Sequence, residues 1–353
     1  MTTAAVTDLF VSLTPDRVLE AVEAAGLATN PVCYPLNAYE NRVYEVELAD
    51  RSRVIAKFYR PTRWTDEQIL EEHAFLAELD AEEIPVATFR PFPGGGTLRR
   101  IDGIFYGLSD RRGGRAPDEI DAPLARRIGM LAARIHTVGA RADAPHRPRL
   151  TSEVYVHRNL EWMEEHGTVP SYLWERYAET ARAIATLYDE LTAELPPEGF
   201  QRIHGDLHRS NLLLRDDVLR ALDFDDMVVG PPVQDLWLAL SGRDDETRRL
   251  WQEFLEGYER FRLFDRSTLR LIEPLRGLRI VSYSAWIARR WHDPFFPVAF
   301  PHFGTEAYWT GEIRELEETL AAARADAGLT DPAPTPAEAL TNADYFWDWE
   351  EGD

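Results

Sequence analysis

Hydrophobic periodicity divides this chain into a strand-rich part and a mainly helical one, and that division limits the fold more than any other feature. Over about the first hundred residues apolar positions recur mainly every second residue, and after Pro123 they recur at helical spacing. Val43 to Leu48 alternates, Ala49-Asp50-Arg51-Ser52 has turn composition, and Arg53 to Tyr59 alternates again, which predicts an antiparallel hairpin. Ile84-Pro85-Val86, Leu98 to Ile101 and Ile104 to Leu108 are expected as further short strands. Two helices interrupt them. Thr14-Pro15-Asp16 opens one that ends near Gly26, and Thr65-Asp66-Glu67-Gln68 forms a capping box for another, from Asp66 to about Leu79.

Helical spacing then covers Leu124 to Val138, Tyr172 to Leu195, Thr247 to Phe261, Leu269 to Arg290 and Thr310 to Ala325. The expected class is α+β, with a strand-rich domain over 1–108, a mainly helical one over 109–330, and a Pro/Ala/acid-rich tail over 331–353. Gly113-Gly114 breaks the periodicity near the first border.

Of the 39 Lys and Arg residues, Lys57 is the single lysine. Val54-Ile55-Ala56-Lys57-Phe58 alternates like a short strand, and a strand-borne Lys suits a site needing a compact ammonium, of which phosphate is the usual case. Taken alone, Lys57 is equally well a surviving surface residue.

Composition removes several function classes. Hydrophobic residues at 44% and aromatics at 11% over 353 residues describe an ordered chain with a substantial core. No run of eighteen apolar residues occurs, and Met1-Thr2-Thr3-Ala4-Ala5 lacks the basic-then-apolar pattern of a secretion signal, so no membrane association is expected. The single cysteine, Cys33, excludes an internal disulfide and a Cys-based zinc site and favours a cytoplasmic setting. Nothing beside Cys33 would activate it, so a small buried apolar role is expected. A net charge of −22 repels nucleic-acid backbones; it could attract a basic peptide or a cationic small molecule, or serve solubility alone. Nothing marks an obligate interface, and a monomer is expected.

The densest polar stretch is Ile203-His204-Gly205-Asp206-Leu207-His208-Arg209-Ser210-Asn211-Leu212-Leu213-Leu214, followed by Ala221-Leu222-Asp223-Phe224-Asp225-Asp226. Apolar runs at Leu212 to Leu214 and Val218 to Leu222 flank a polar loop, which suits side chains held rigidly at a cleft edge. Asp206 and Asn211 lie five apart, and Asp223 follows twelve later. Two carboxylates and an amide offer hard oxygen ligands for Mg²⁺, with one carboxylate left as a base. Phosphoryl transfer from a nucleotide requires that division of labour.

His204-Gly-Asp206-x4-Asn211, then Leu222-Asp223-Phe224, then Gly230-Pro231-Pro232-x2-Asp235-Leu236 resembles the signature of the aminoglycoside phosphotransferase and choline kinase branch of the protein-kinase-like fold. Within that branch the chain is most similar to the stress response kinase A (YihE) group. Leu36 to Tyr44, Lys57-Phe58-Tyr59-Arg60-Pro61, Gln68 to His73, Val233-Gln234-Asp235-Leu236-Trp237 and Phe300-Pro301 to Tyr308-Trp309 carry that similarity, over roughly residues 8 to 325. It implies two lobes, a small antiparallel-sheet lobe and a larger helical one, with ATP as co-substrate between them. It further implies that Asp206 is the base, that Asn211 and Asp223 hold Mg²⁺, and that Lys57 binds the α/β-phosphates and pairs with a helix carboxylate. Stepping about 100° per residue from Ile69, the apolar Phe75, Leu76 and Leu79 cluster around the direction of Glu72, while Glu71 points away. A Glu on a buried stripe needs a partner, so Glu72 is the expected one; in the alternative both are solvated.

Asp235 is expected to bond the catalytic-loop backbone, or else to cap a helix beginning at Leu236. His204 is expected to orient the loop, and His208 to lie near the acceptor or to be exposed. Asn37 to Val43 contains no glycine, so phosphate contacts there would come from backbone amides and from residues such as Asn37 and Ala38. Asp223-Phe224-Asp225 lacks the glycine that follows Phe in many kinases, leaving Asp225 as an extra metal or supporting ligand, or a plain loop acid. Adenine contacts are expected around Tyr106 to Asp110. A metallophosphoesterase would use Gly205-Asp206-Leu207-His208, but its upstream Asp-x-His and downstream Gly-Asn-His are missing. A calcium loop at Asp223 fails because Val228 stands where glycine is needed. The acceptor is expected to be a protein serine or threonine; the alternative is a small-molecule alcohol of the aminoglycoside, choline or homoserine type.

Overall fold

The alternating segments from Arg42 to Phe58 form the centre of a five-stranded antiparallel sheet in the computed structural model, which describes residues 9–10, 13–36 and 38–327. The helix α1 (Pro15–Glu23) precedes it, capped by Thr14. The strands are β1 (Thr29–Leu36), β2 (Arg42–Leu48), β3 (Arg53–Phe58), β4 (Arg99–Ile101) and β5 (Ile104–Asp110), in the order β1-β2-β3-β5-β4. Val54, Ala56 and Phe58 point into a core with Val46, Leu48, Ile104, Tyr106, Leu108 and the α1 residues Val18, Ala21 and Val22. The strand period of two therefore turns Lys57, paired in register with Val43 and Gly107, to the opposite face. The helix α2 (Asp66–Ala81) begins with both arms of the capping box formed, and buries Ile69, Glu72, His73, Phe75, Leu76 and Leu79.

The described chain divides into two compact units. The first comprises residues up to Asp118 with Ala144–Arg147 and Arg209–Met227; the second comprises Glu119–Asp143, Pro148–His208 and the residues from Val228 on. Within the first, Leu212–Arg215 and Val218–Ala221 form a hairpin whose two turn residues, Asp216 and Asp217, both have positive φ, as a tight two-residue turn requires.

The second unit is mostly helical: α3 (Ala122–Gly139), α4 (Arg158–Glu165), α5 (Ser171–Ala193), α6 (Val233–Ala239), α7 (Asp245–Tyr258), α8 (Ile272–Arg289), α9 (Phe295–Ala299) and α10 (Glu306–Asp326). Short strands Gln201–Ile203 and Val228–Gly230 pair antiparallel. Helices α3 and α7 cross where Gly129 meets the Phe254 carbonyl and Gly257 meets the Arg126 carbonyl; a β-carbon at either position would collide with backbone. Helices α5, α8 and α10 pack together, with Trp309 fully buried edge-on to Tyr177. Among the described residues no helix is long and apolar enough to cross a membrane.

Two expectations need correction, and the N-cap alternative for Asp235 falls away. Ile84 and Val86 are buried, but no strand forms there, since Pro85 lacks the N–H a ladder needs. The long helix expected from Leu269 begins as a 3₁₀ turn at Arg266–Leu271 and becomes α-helical only at Ile272, where Pro274 falls in the first turn that tolerates it. Asp235 does not precede its helix: α6 starts at Val233, so Asp235 lies inside its first turn. Cys33 is half-buried on β1, and burial pushes its thiol up. The tail from Asp331 lies outside the described residues, as does Asn37.

Candidate active site

In the first unit β3 and α2 present one ammonium to three carboxylates. Lys57 Nζ donates to Glu72 Oε1 at 3.0 Å and to Asp223 Oδ1 at 3.3 Å, and lies 3.2 Å from Asp225 Oδ1. Lys57, Glu72 and Asp225 are buried, whereas the Asp223 side chain is about half exposed, at 54%. Asp223 has a left-handed backbone (φ 57°, ψ 71°), a conformation Asp tolerates better than most residues and one that turns the chain sharply out of the hairpin. The hairpin also fixes Asn211: its carbonyl accepts from Leu222 N at 2.8 Å, so residues Asn211 and Asp223 flank the open end of one two-stranded ladder. Phe224 is buried edge-on to Phe75 of α2, which ties this segment to the helix carrying Glu72.

Asp225 is no loop acid. Arg63 Nη1 lies 2.8 Å from its Oδ2, and Trp64 Nε1 donates to the same oxygen at 3.4 Å. Arg63 also pairs with Asp226 and Glu40. Arg147, stacked on Trp64 at 4.3 Å, donates to the carbonyls of Asp225 and Met227. Glu71, though off the buried stripe, is engaged as well: it accepts from the backbone N–H groups of His146 and Arg147.

Burial opposes the charge on Lys57, Asp225 and Glu72, and the balance between burial and partners differs among the three. Burial alone would lower the Lys57 pKa, but Asp225 and Glu72 hold it well above its usual value. Burial would raise Asp225, but Lys57, Arg63 and Arg147 keep its carboxyl below the usual range. For Glu72 burial wins over Lys57, and its pKa rises to about 7. A folded-state pKa above the unfolded one contributes stability that is full below the unfolded value and lost as pH rises through the folded value. Thermal melts should therefore show the stability of the wild type, relative to Glu72→Gln, falling as pH rises from about 5 to about 8. A pH-independent difference would contradict the raised pKa.

In the second unit Asp206 follows the strand Gln201–Ile203 on a loop organised by Asp235. Gly205 has φ +83°, a left-handed turn that suits glycine, and its N–H donates to Asp235 Oδ1 at 2.9 Å. His204 N donates to Asp235 Oδ2 at 3.0 Å, and His136 Nε2 lies 2.9 Å from that oxygen. Asp206 N in turn donates to His204 Nδ1 at 3.2 Å. Asp235, His204 and His136 are all fully buried. Asp235→Ala would leave two buried backbone N–H groups without their acceptor, at about 1–3 kcal/mol each. A denaturant midpoint shift equivalent to about 3–5 kcal/mol is expected; a shift under about 1 kcal/mol would mean that the loop holds itself.

The Asp206 carboxylate accepts from Arg279 Nη2 at 2.8 Å through Oδ1, and His208 Nε2 lies 3.3 Å from Oδ2. Burial alone would raise its pKa, but His208 and Arg279 hold it well below the usual carboxylate range, so Asp206 is ionised throughout the neutral range.

Of the expected site residues, Lys57, Glu72, Asp223 and Asp225 meet directly, Asn211 adjoins them through the hairpin, and Asp206, His204 and Asp235 form a second connected set. Ala38 is half-buried in the β1–β2 connection. Arg63, Trp64, Arg147, His136 and Arg279 were not expected. Among the described residues no group of three or more His, Cys, Asp or Glu side chains is arranged to hold a metal ion unaided, unlike the multi-ligand site a metallophosphoesterase needs.

A family model described as the phosphotransferase enzyme family matches residues 33–272. Stress response kinase A of Escherichia coli (strain K12) is 38% identical over 305 residues, 85% of this chain and 90% of that protein. Serine/threonine protein kinase RdoA of Salmonella typhimurium (strain LT2) is 37% identical over 302 residues, again 85% and 90%. The solved structure of amicoumacin kinase hAmiN in complex with AMP-PNP, Ca²⁺ and Ami superposes with a TM-score of 0.67 at 20% identity, covering 87% of this chain and 93% of that one. The fold is therefore the α+β protein-kinase-like phosphotransferase fold, and the chain belongs to the phosphotransferase enzyme family, within its stress response kinase A group.

Proposed function

We propose that the protein is a cytoplasmic, Mg²⁺- and ATP-dependent serine/threonine protein kinase that moves the ATP γ-phosphoryl group to a hydroxyl. The observation that carries this is the Lys57 ammonium, buried between Glu72 and the exposed carboxylate of Asp223. Such an ammonium is already charged and aimed, and it can neutralise phosphate oxygens without reorganising. The names of the relatives, both serine/threonine or stress response kinases over nearly their full length, support a protein acceptor. The single cysteine supports a reducing compartment.

The residues present fit a divalent ion carried by the nucleotide. Asn211 and Asp223 offer hard oxygens, and the buried Asp225 Oδ1 lies beside them, held 3.2 Å from the Lys57 ammonium. Mg²⁺ typically takes one or two carboxylates and completes its shell with phosphates and water, which suits a site lacking three protein ligands. When bound, the ion would neutralise charge on the transferring phosphate oxygens. Asp206 would accept the acceptor hydroxyl's proton, Asp235 and His204 would hold its loop, and Glu72 would keep Lys57 in place. Backbone amides around Ala38, with Asn37, remain the proposed phosphate-covering contacts.

The test is incubation with γ-labelled ATP and Mg²⁺, with and without a generic basic protein and a panel of amino alcohols. Label is expected on the enzyme or the basic protein and not on the amino alcohols. Label on an amino alcohol alone would make the protein a small-molecule kinase.

A further inference from the structure

Both oxygens of Asp206 are engaged within their own unit, and one partner is unusual in where it stands. Arg279 is a third exposed, at 35% of its side chain, and its helix α8 presents Tyr283, 44% exposed, one turn further on. Its neighbour Arg276 is committed elsewhere, against Trp237 and Glu273. Arg279 instead gives its guanidinium to the proposed base. A hydroxyl that passes its proton to Asp206 must come within about 2.6–3.2 Å of that carboxylate. As Asp206 takes up that proton, the Arg279 guanidinium bonded to it is no longer offset, and the groups flanking the hydroxyl lie within a few ångströms of its positive charge.

We infer that Arg279 selects the acceptor by charge: it favours hydroxyls with a carboxylate or other anion beside them and disfavours hydroxyls flanked by an ammonium. This rests on the protein-kinase reading above and adds a specificity to it. A unit charge at about 6 Å in a partly exposed site changes relative rates by on the order of tenfold. The filter works against the long-range field, because a net charge of −22 draws cationic acceptors toward the protein. Arg279 would admit only those whose charge lies away from the reacting hydroxyl. An arginine that merely oriented Asp206 would affect all acceptors alike; a charge filter changes their ratio.

The experiment uses the full chain, γ-labelled ATP and a degenerate serine peptide library in which each position next to the serine is fixed in turn as Asp, Ala or Lys. The wild type is expected to label Asp-flanked serines at least about tenfold faster than Lys-flanked ones, with Ala between them. In Arg279→Gln the ratio should collapse toward one, and Arg279→Lys, which keeps the charge, should restore much of it. Peptide labelling with no charge order, or an order unchanged in Arg279→Gln, overturns the inference and leaves the kinase reading standing. Label in no peptide while ATP is still turned over overturns the protein-kinase reading, and the inference falls with it.

Discussion

Asp206→Asn is expected to lower kcat by about 10²–10⁴-fold while leaving nucleotide affinity near that of the wild type. The substitution preserves shape and removes the proton acceptor. Its loop should stay in place, because the backbone bonds of His204 and Gly205 to Asp235 do not involve the Asp206 carboxylate. The Arg279 and His208 contacts would weaken, since each is oriented toward a charge. Paired measurements of nucleotide binding and single-turnover transfer separate the two effects. Unchanged transfer would remove Asp206 from the role of base, and lost binding would make it a nucleotide ligand instead.

Lys57→Met is expected to be the most damaging substitution in the first unit, in two separable ways. It leaves Glu72 and Asp225 buried without their shared cation, and breaking a buried pair by removing one partner costs about 3–5 kcal/mol. Part of that cost should be relieved at low pH, where Glu72, already raised to about 7, takes up a proton. The variant should also lose phosphoryl transfer, even at temperatures where it remains folded. Lys57→Arg, which keeps the charge, should still impair turnover, because a planar fork does not fit a position built around a point charge. Melts at pH 5 and pH 8 with turnover at low temperature check both parts; wild-type turnover by either variant would return Lys57 to a packing role.

How much of this was legible in the sequence depended on whether the signal was local. Lys57 stood out as the single lysine on an alternating strand, and Glu72 followed from a helical stripe that Glu71 does not share. The hairpin and the helices were readable from period and caps, as the capping box at Thr65 illustrates. Strand β1 was missed because Pro31 and Pro35 disguise it, and an edge strand with a bulge tolerates both. The same residue type misled in the other direction at Ile84-Pro85-Val86, where alternation reflects burial without pairing. Arg63, Arg147 and Arg279 could not be singled out in a chain whose cations are nearly all arginine, because only the tertiary fold says which arginine meets which carboxylate. His136, which meets Asp235 across 99 residues of sequence, left no local trace either.

Lys57, Asn211 and Asp223 are expected to grip a nucleotide's phosphates and its divalent ion together. Mn²⁺ titration followed by electron paramagnetic resonance, with and without a non-hydrolysable ATP analogue, reads this directly. Binding is expected to be weak without nucleotide, to tighten by at least about tenfold with it, and to lose that gain in Asp223→Ala and Asn211→Ala. Equally tight Mn²⁺ binding without nucleotide, or a gain that survives both substitutions, would contradict it.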